Sequence, residues 1–168
     1  MEIPTLRTQR LSLCPPSVAD FQAYVDFYAD AAASSFYGGP LNREQAWRRL
    51  ASDIGHWSLR GFGIWSLREI GRDAIVGGCG IVWPEGWPRH ELTWWIAPAA
   101  RRRGFALEAS EAAIRWAYDE LGWTSVETHM KDDNAAARAL AERLGGQITA
   151  REQFPDGLAR DIYSLPRP

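Results

Sequence analysis

The run Arg101-Arg102-Arg103-Gly104-Phe105-Ala106 sets three guanidinium groups beside a glycine and a small residue, directly between a predicted strand and a long predicted helix. Residues of this kind at this place suit an anion. Glycine admits a ligand close to the backbone, Ala106 keeps the helix start free of bulk, and the bare amides of the first helical turn lie at the positive end of its dipole. Arginine adds planar, charge-assisted hydrogen bonds that match phosphate. A solvated basic turn in front of a helix fits the same letters, and local sequence leaves both readings open.

The surrounding pattern supplies the elements that must hold this turn. Leu6–Cys14 alternates as a strand and stops at Pro15-Pro16. A helix follows from Ser17, with Asp20 completing a capping box and Phe21, Val25 and Tyr28 as its apolar stripe. Asn42 caps the next helix and Gly61 ends it. Phe62–Ile70 and Ala74–Val82 flank Gly71-Arg72-Asp73 as an antiparallel hairpin, and His90–Ile96 is a third strand stopped by Pro98. Glu108–Leu121 is an amphipathic helix, Ser125–Met130 a strand, and Asn134–Leu144 a helix closed by Gly145-Gly146. Strands at Gln147–Glu152 and Ala159–Leu165 complete the chain. Strands and helices alternate only in the second half, which predicts an α+β fold, a mixed and largely antiparallel sheet flanked by helices, over a single domain 1–168.

Composition narrows the partners. With 19 basic and 21 acidic residues in 168, the net charge is −2, the wrong sign for a nucleic-acid binder. Cys14 and Cys79 stand apart in apolar surroundings, which fits free thiols in a reducing compartment and offers no metal set. The longest apolar run, Ala74–Trp83, has ten residues and three glycines, well short of the ~20 that span a bilayer. Met1–Leu13 alternates and lacks the apolar core of a signal peptide. A cytoplasmic protein without membrane or metal is expected, and its nine tryptophans make a homodimer plausible.

Three stretches together resemble the GNAT N-acetyltransferase superfamily. Arg101, Gly104 and Ala106 match its [Gln/Arg]-x-x-Gly-x-[Gly/Ala] pyrophosphate turn after the strand ending Trp94-Trp95-Ile96. Asn134 through Glu142-Arg143-Leu144-Gly145 is similar to its Asn-x-x-Ser…Lys-Leu-Gly-Phe segment, with Ala137, Arg143 and Gly146 departing from it. Thr8-Gln9-Arg10-Leu11-Ser12-Leu13 resembles the opening of the branch that includes ribosomal-protein alanine acetyltransferases.

The resemblance implies that the strands His90–Ile96 and Ser125–Met130 are central parallel neighbours that splay apart, with the pantetheine arm of acetyl-CoA in the gap. Ile96, Ala97, Arg101, Arg102, Arg103, Gly104, Phe105, Ala106, Asn134 and Ala137 are then the cofactor-binding set, and an amide of Ile96 or Ala97 the donor to the carbonyl oxygen. A primary amine, on a small molecule or a protein N-terminus, attacks the thioester. An alkyl ammonium of pKa ~10.4 must first lose a proton at a cost of roughly 4.6 kcal/mol at pH 7, so a base matters. Alternation puts Glu91, Thr93 and Trp95 on one strand face, which makes Glu91 the candidate base, with a surface pair to Arg89 as the alternative. His129, with an ordinary pKa of ~6.5 and a strand-end position that also fits plain surface, is the second candidate. Ala137 stands where related enzymes carry a serine donor to the leaving thiolate, so no dedicated acid is expected. Phe36, Tyr37, Trp83 and Trp95 are the expected acceptor wall. A catalytically weak acyl-CoA-binding protein of the same fold is the alternative function.

Overall fold

A computed structural model of the chain describes residues 2–168; Met1 lies outside them. Five strands form one antiparallel sheet in chain order: β1 (Leu6–Arg7), β2 (Leu11–Cys14), β3 (Ile64–Glu69), β4 (Ile75–Val82) and β5 (Glu91–Ile96). The single strand expected over 6–14 is two, because Thr8 folds the chain back: its amide donates to the carbonyl of Leu11, and the Leu11 amide donates to its hydroxyl oxygen. Helices α1 (Phe21–Ala29), α2 (Ala31–Ser34) and α3 (Arg43–Arg60) separate β2 from β3. The Asn42 side chain caps α3 by accepting from the Gln45 amide, and Gly61 stops it at φ 78°.

The two faces of this sheet are covered by different helices. Leu11, Leu13, Leu67, Ile81 and Leu92 turn toward α4 (Phe105–Glu120), whose Ala109, Ala113, Ile114 and Ala117 are fully buried. On the other face Trp95 packs against Tyr24 and Phe27 of α1, so the stripe of that helix is Tyr24-Phe27-Tyr28 rather than the expected Phe21-Val25-Tyr28. The run Gly77-Gly78-x-Gly80 lets neighbours close in. A Cβ on Gly78 would stand 2.3 Å from the Trp95 indole nitrogen, and one on Gly80 would stand 2.0 Å from the Gly63 carbonyl.

A second antiparallel sheet, β6 (Val126–His129), β8 (Ala159–Leu165) and β7 (Gln147–Gln153) in that spatial order, follows α4, with α5 (Ala135–Arg143) between β6 and β7. β5 and β6 belong to different sheets. Side chains join them: the Thr128 hydroxyl donates to the Leu92 carbonyl at 2.8 Å, and the Glu127 amide donates to His90 Nε2 at 3.0 Å. The contacts advance together along both strands, so the pair runs parallel, while every backbone ladder in the molecule is antiparallel among the described residues. Peptide groups facing the seam are therefore left for something other than a ladder. No helix among the described residues is long and apolar enough to cross a membrane.

Candidate active site

The turn 101–106 is built for exposed amides. α4 begins at Phe105, three residues before the expected Glu108, with Gly104 at φ 79° as its cap. The first intrahelical bond is from the Glu108 amide to the Gly104 carbonyl. Amides of residues 102–107 have no acceptor among the described residues. Arg102 is the one non-glycine described with positive φ, at 61°, so the backbone is strained into presenting these groups. The opening segment braces the turn. Arg10 donates to the Arg103 carbonyl (2.7 Å) and to Glu108 (2.7 Å), which also takes the Thr8 hydroxyl (2.6 Å). The Thr8-x-Arg10 pair thus acts from outside the site.

The arginines of the run divide by task. Arg101 reaches back to the carbonyls of Ile96 (3.2 Å) and Ala33 (3.3 Å), tying the turn to the end of β5 and to α2. Arg102 faces a cavity of about 460 Å³, walled also by Ile96, Gly104, Phe105, Ala106, the α5 cap Asn134 and the first α5 residues Ala135 to Ala137. Arg103 is outside that cavity: it forks onto both carboxylate oxygens of Glu69 and lies over the Phe105 ring at 4.4 Å. Its expected place against an anion is taken by the Glu69 carboxylate. Ala97 is likewise out of the set, since its amide donates to Val76 at 2.9 Å. Alternation from that bond turns the amides of Trp94 and Ile96 away from β4 and toward the seam, which leaves Ile96 as the donor of the two.

A neighbouring cavity of about 430 Å³ shares Phe36, Tyr37, Trp94, Asn134 and Ala137 with the first. Glu91 lies in its wall, and not against Arg89, which pairs with Glu127 and Glu152. The Glu91 side chain keeps 27% of its surface open to the cavity and is otherwise enclosed by protein. Burial pushes its carboxyl up to about 7, against the opposing pull of Arg49 and Arg160. His129 is buried rather than on the surface, at 4% exposure. Its ring stacks on Trp87 at 10° and lies 4.2 Å from the Phe154 ring. Burial, with Arg160 nearby, pulls the imidazole down to about 3, so His129 is neutral and its Nε2 stands 3.7 Å from Glu91 without a hydrogen bond.

Of the four residues expected in the acceptor wall, two line the cavities. Phe36 and Tyr37 line both cavities, and burial lifts the Tyr37 hydroxyl to about 12, so it keeps its proton. Trp95 is core, 3% exposed beneath α1. Trp83 lies outside both cavities, bonded through its amide to His56 and through its indole to the Trp87 carbonyl. Trp87 and Trp94 take their place. Arg49, Thr128 and Arg160 also reach the wall, brought from α3, β6 and β8, and nothing in their local sequence marks them. Asn134 caps α5 through the Ala137 amide (3.1 Å) and also lines both cavities.

Residues 10–147 match the model of the acetyltransferase (GNAT) domain. An acetyltransferase from Agrobacterium tumefaciens str. C58 superposes with a TM-score of 0.89 at 31% identity, over 99% of this chain and 96% of that one. A GnaT-family acetyltransferase from Bordetella pertussis gives 0.79 at 27%, over 98% and 100%. A ribosomal L7/L12 alpha-N-protein acetyltransferase solved with coenzyme A shares the fold, with a TM-score of 0.77 at 12% identity over 98% and 99%. A strand pair joined without a ladder, a bare-amide turn at a helix start and these matches have one common meaning: the chain belongs to the GNAT family of acetyltransferases.

Proposed function

We propose that the protein transfers an acetyl group from acetyl-CoA to a primary amine, with Glu91 as the base. The observation that carries this is the junction of two cavities, one walled by the bare amides at the start of α4 and the other by a buried carboxyl. The residues present suit the cofactor. Unpaired amides and Arg102 match a diphosphate, Gly104 holds the left-handed conformation the turn needs, and Ala135, Ala136 and Ala137 leave room along α5. Ile96, Arg101, Phe105, Ala106 and Asn134 complete that set. Acetyl-CoA supplies the activated thioester; the chain supplies position and proton control. With a carboxyl near 7, Glu91 holds enough ionised form at neutral pH to take a proton from an ammonium. The Ile96 amide is turned toward the seam, where it can meet negative charge developing on a carbonyl oxygen. Neutral His129 beside Glu91 is able to accept a hydrogen bond but not to hold a proton near pH 7. Ala137 has no proton to give; Tyr37, on the wall common to both cavities, is the candidate donor to the leaving thiolate. An intact buried carboxyl favours this reading over a catalytically weak sensor.

The test is thiol release from acetyl-CoA across a panel of primary amines, in the wild type and in Glu91→Gln. Amine-dependent release that falls by about 10²-fold or more in the variant, at unchanged acetyl-CoA affinity, is expected. Binding of acetyl-CoA with no amine raising release above background would overturn the proposal.

A further inference from the structure

Within the cavity that holds Glu91, Arg49 has unused binding capacity. It projects from α3, and its Nε stands 3.6 Å from Asp53, beyond hydrogen-bond distance. Its terminal nitrogens donate to no acceptor among the described residues, and the guanidinium carbon lies 5.7 Å from the Tyr28 ring centroid. Asp53 faces it as an ion pair without a hydrogen bond, and the Asp53 Oδ2 already accepts the Tyr24 hydroxyl at 2.9 Å. Arg160, the other guanidinium of this cavity, is engaged, with both terminal nitrogens on the Asp156 carboxylate. Arg49 therefore presents an open donor fork to the same space into which Glu91 projects, between the apolar surfaces of Phe36, Val82 and Trp87.

We infer that the acceptor is an amine that also carries a carboxylate a short spacer away, bound with its amine at Glu91 and its carboxylate on the fork of Arg49. This rests on the reading of that cavity as the acceptor site. A free amino acid, or a peptide N-terminus followed by an acidic side chain, presents this chemistry. The opposite charges at Glu91 and Arg49 match the two ends of such a ligand, and its anion accepts the hydrogen bonds that Asp53 leaves unmade.

The test compares L-leucine with L-leucinamide, and Ala-Asp-amide with Ala-Asn-amide, in the full chain. Acetyl-CoA-dependent thiol release and, separately, calorimetric binding in the presence of CoA are measured for each. In at least one pair the carboxylate member is expected to be favoured tenfold or more in kcat/KM and in affinity. That preference runs against intrinsic reactivity in the first pair, since leucinamide has the less basic amine and is more often neutral. The favoured pair identifies the source of the carboxylate. Arg49→Gln is expected to bring the ratio to about one and Arg49→Lys to keep part of it, with retained acetyl-CoA affinity as the control for folding. Equal values within both wild-type pairs, or a ratio unchanged in Arg49→Gln, overturn the inference and leave acetyl transfer standing. Arg49-dependent preference in binding without any thiol release overturns the reading of that ligand as the acceptor, and with it the inference. The wild-type ratios decide the matter even if a variant does not fold.

Discussion

Glu91 and His129 are neighbours whose protons respond to burial in opposite senses. Burial lifts the carboxyl from 4.5 to about 7 and lowers the imidazole from 6.5 to about 3, so near neutrality the first titrates and the second does not. The acetylation rate is expected to rise with pH through about 7 as Glu91 ionises, and the inflection to vanish in Glu91→Gln; a pH series of kcat/KM checks both. Stability follows the same proton. The folded state holds it more tightly than the unfolded chain, so the stabilisation is complete below pH ~4.5 and is lost as pH rises through about 7, at most roughly 3 kcal/mol. Urea titrations of Glu91→Gln should show that slope removed. For His129 the sign reverses. Its contribution is present above pH ~6.5 and is lost as pH falls toward 3, and its ring resonances should stay flat in an NMR titration from pH 8 to 5. Alternation gave Glu91 its correct face because the neighbouring Leu92 and Ile96 are core. It could not show that His129 is buried, because Phe154, which packs against that ring, and Arg160, which lies over Phe154, come from a later part of the chain.

At the scale of elements, the turn before α4 is held by the β1–β2 turn, far away in sequence. Arg10→Ala removes the bonds to the Arg103 carbonyl and to Glu108 without touching either cavity. It is expected to raise the KM for acetyl-CoA several-fold with a smaller effect on the KM for the amine. Gly104→Ala has steric room, since the nearest atom to a Cβ is the flexible Arg10 tip at 3.3 Å, but forces a left-handed conformation costing about 1–2 kcal/mol. Thermal melts with and without CoA should show the loss in both states. Local punctuation was readable here: Asn42 and Gly61 bound α3, and β8 runs over 159–165 as expected. Tryptophan roles were not. Trp83, Trp87, Trp94 and Trp95 are alike in composition and spacing, and only the packing of α1 on one sheet face and of the β7–β8 loop near the site separates core from cleft. Arg103 escaped for the same reason, because its partner Glu69 lies on a different element.

For the whole molecule, the glycine-rich β4 lets an entire sheet carry helices on both faces while β5 keeps its outer edge free of a ladder. Gly80→Ala places a methyl group against backbone of the adjacent chain segment that cannot swing aside, and a loss of about 1–3 kcal/mol or more is expected by chemical denaturation. The order of the long elements and the antiparallel character were legible along the sequence, whereas the short α2 was not; nor was the separation into two sheets, since it depends on two side-chain bonds, from Thr128 and to His90, across distant strands. The two cavities touch along a common wall that includes Phe36, Tyr37 and Ala137. On the proposed reading the two cavities are separate berths with no nucleophile of the chain between them, so neither reactant must depart before the other arrives. Initial-velocity lines should accordingly intersect rather than run parallel, the kinetic signature of a ternary complex.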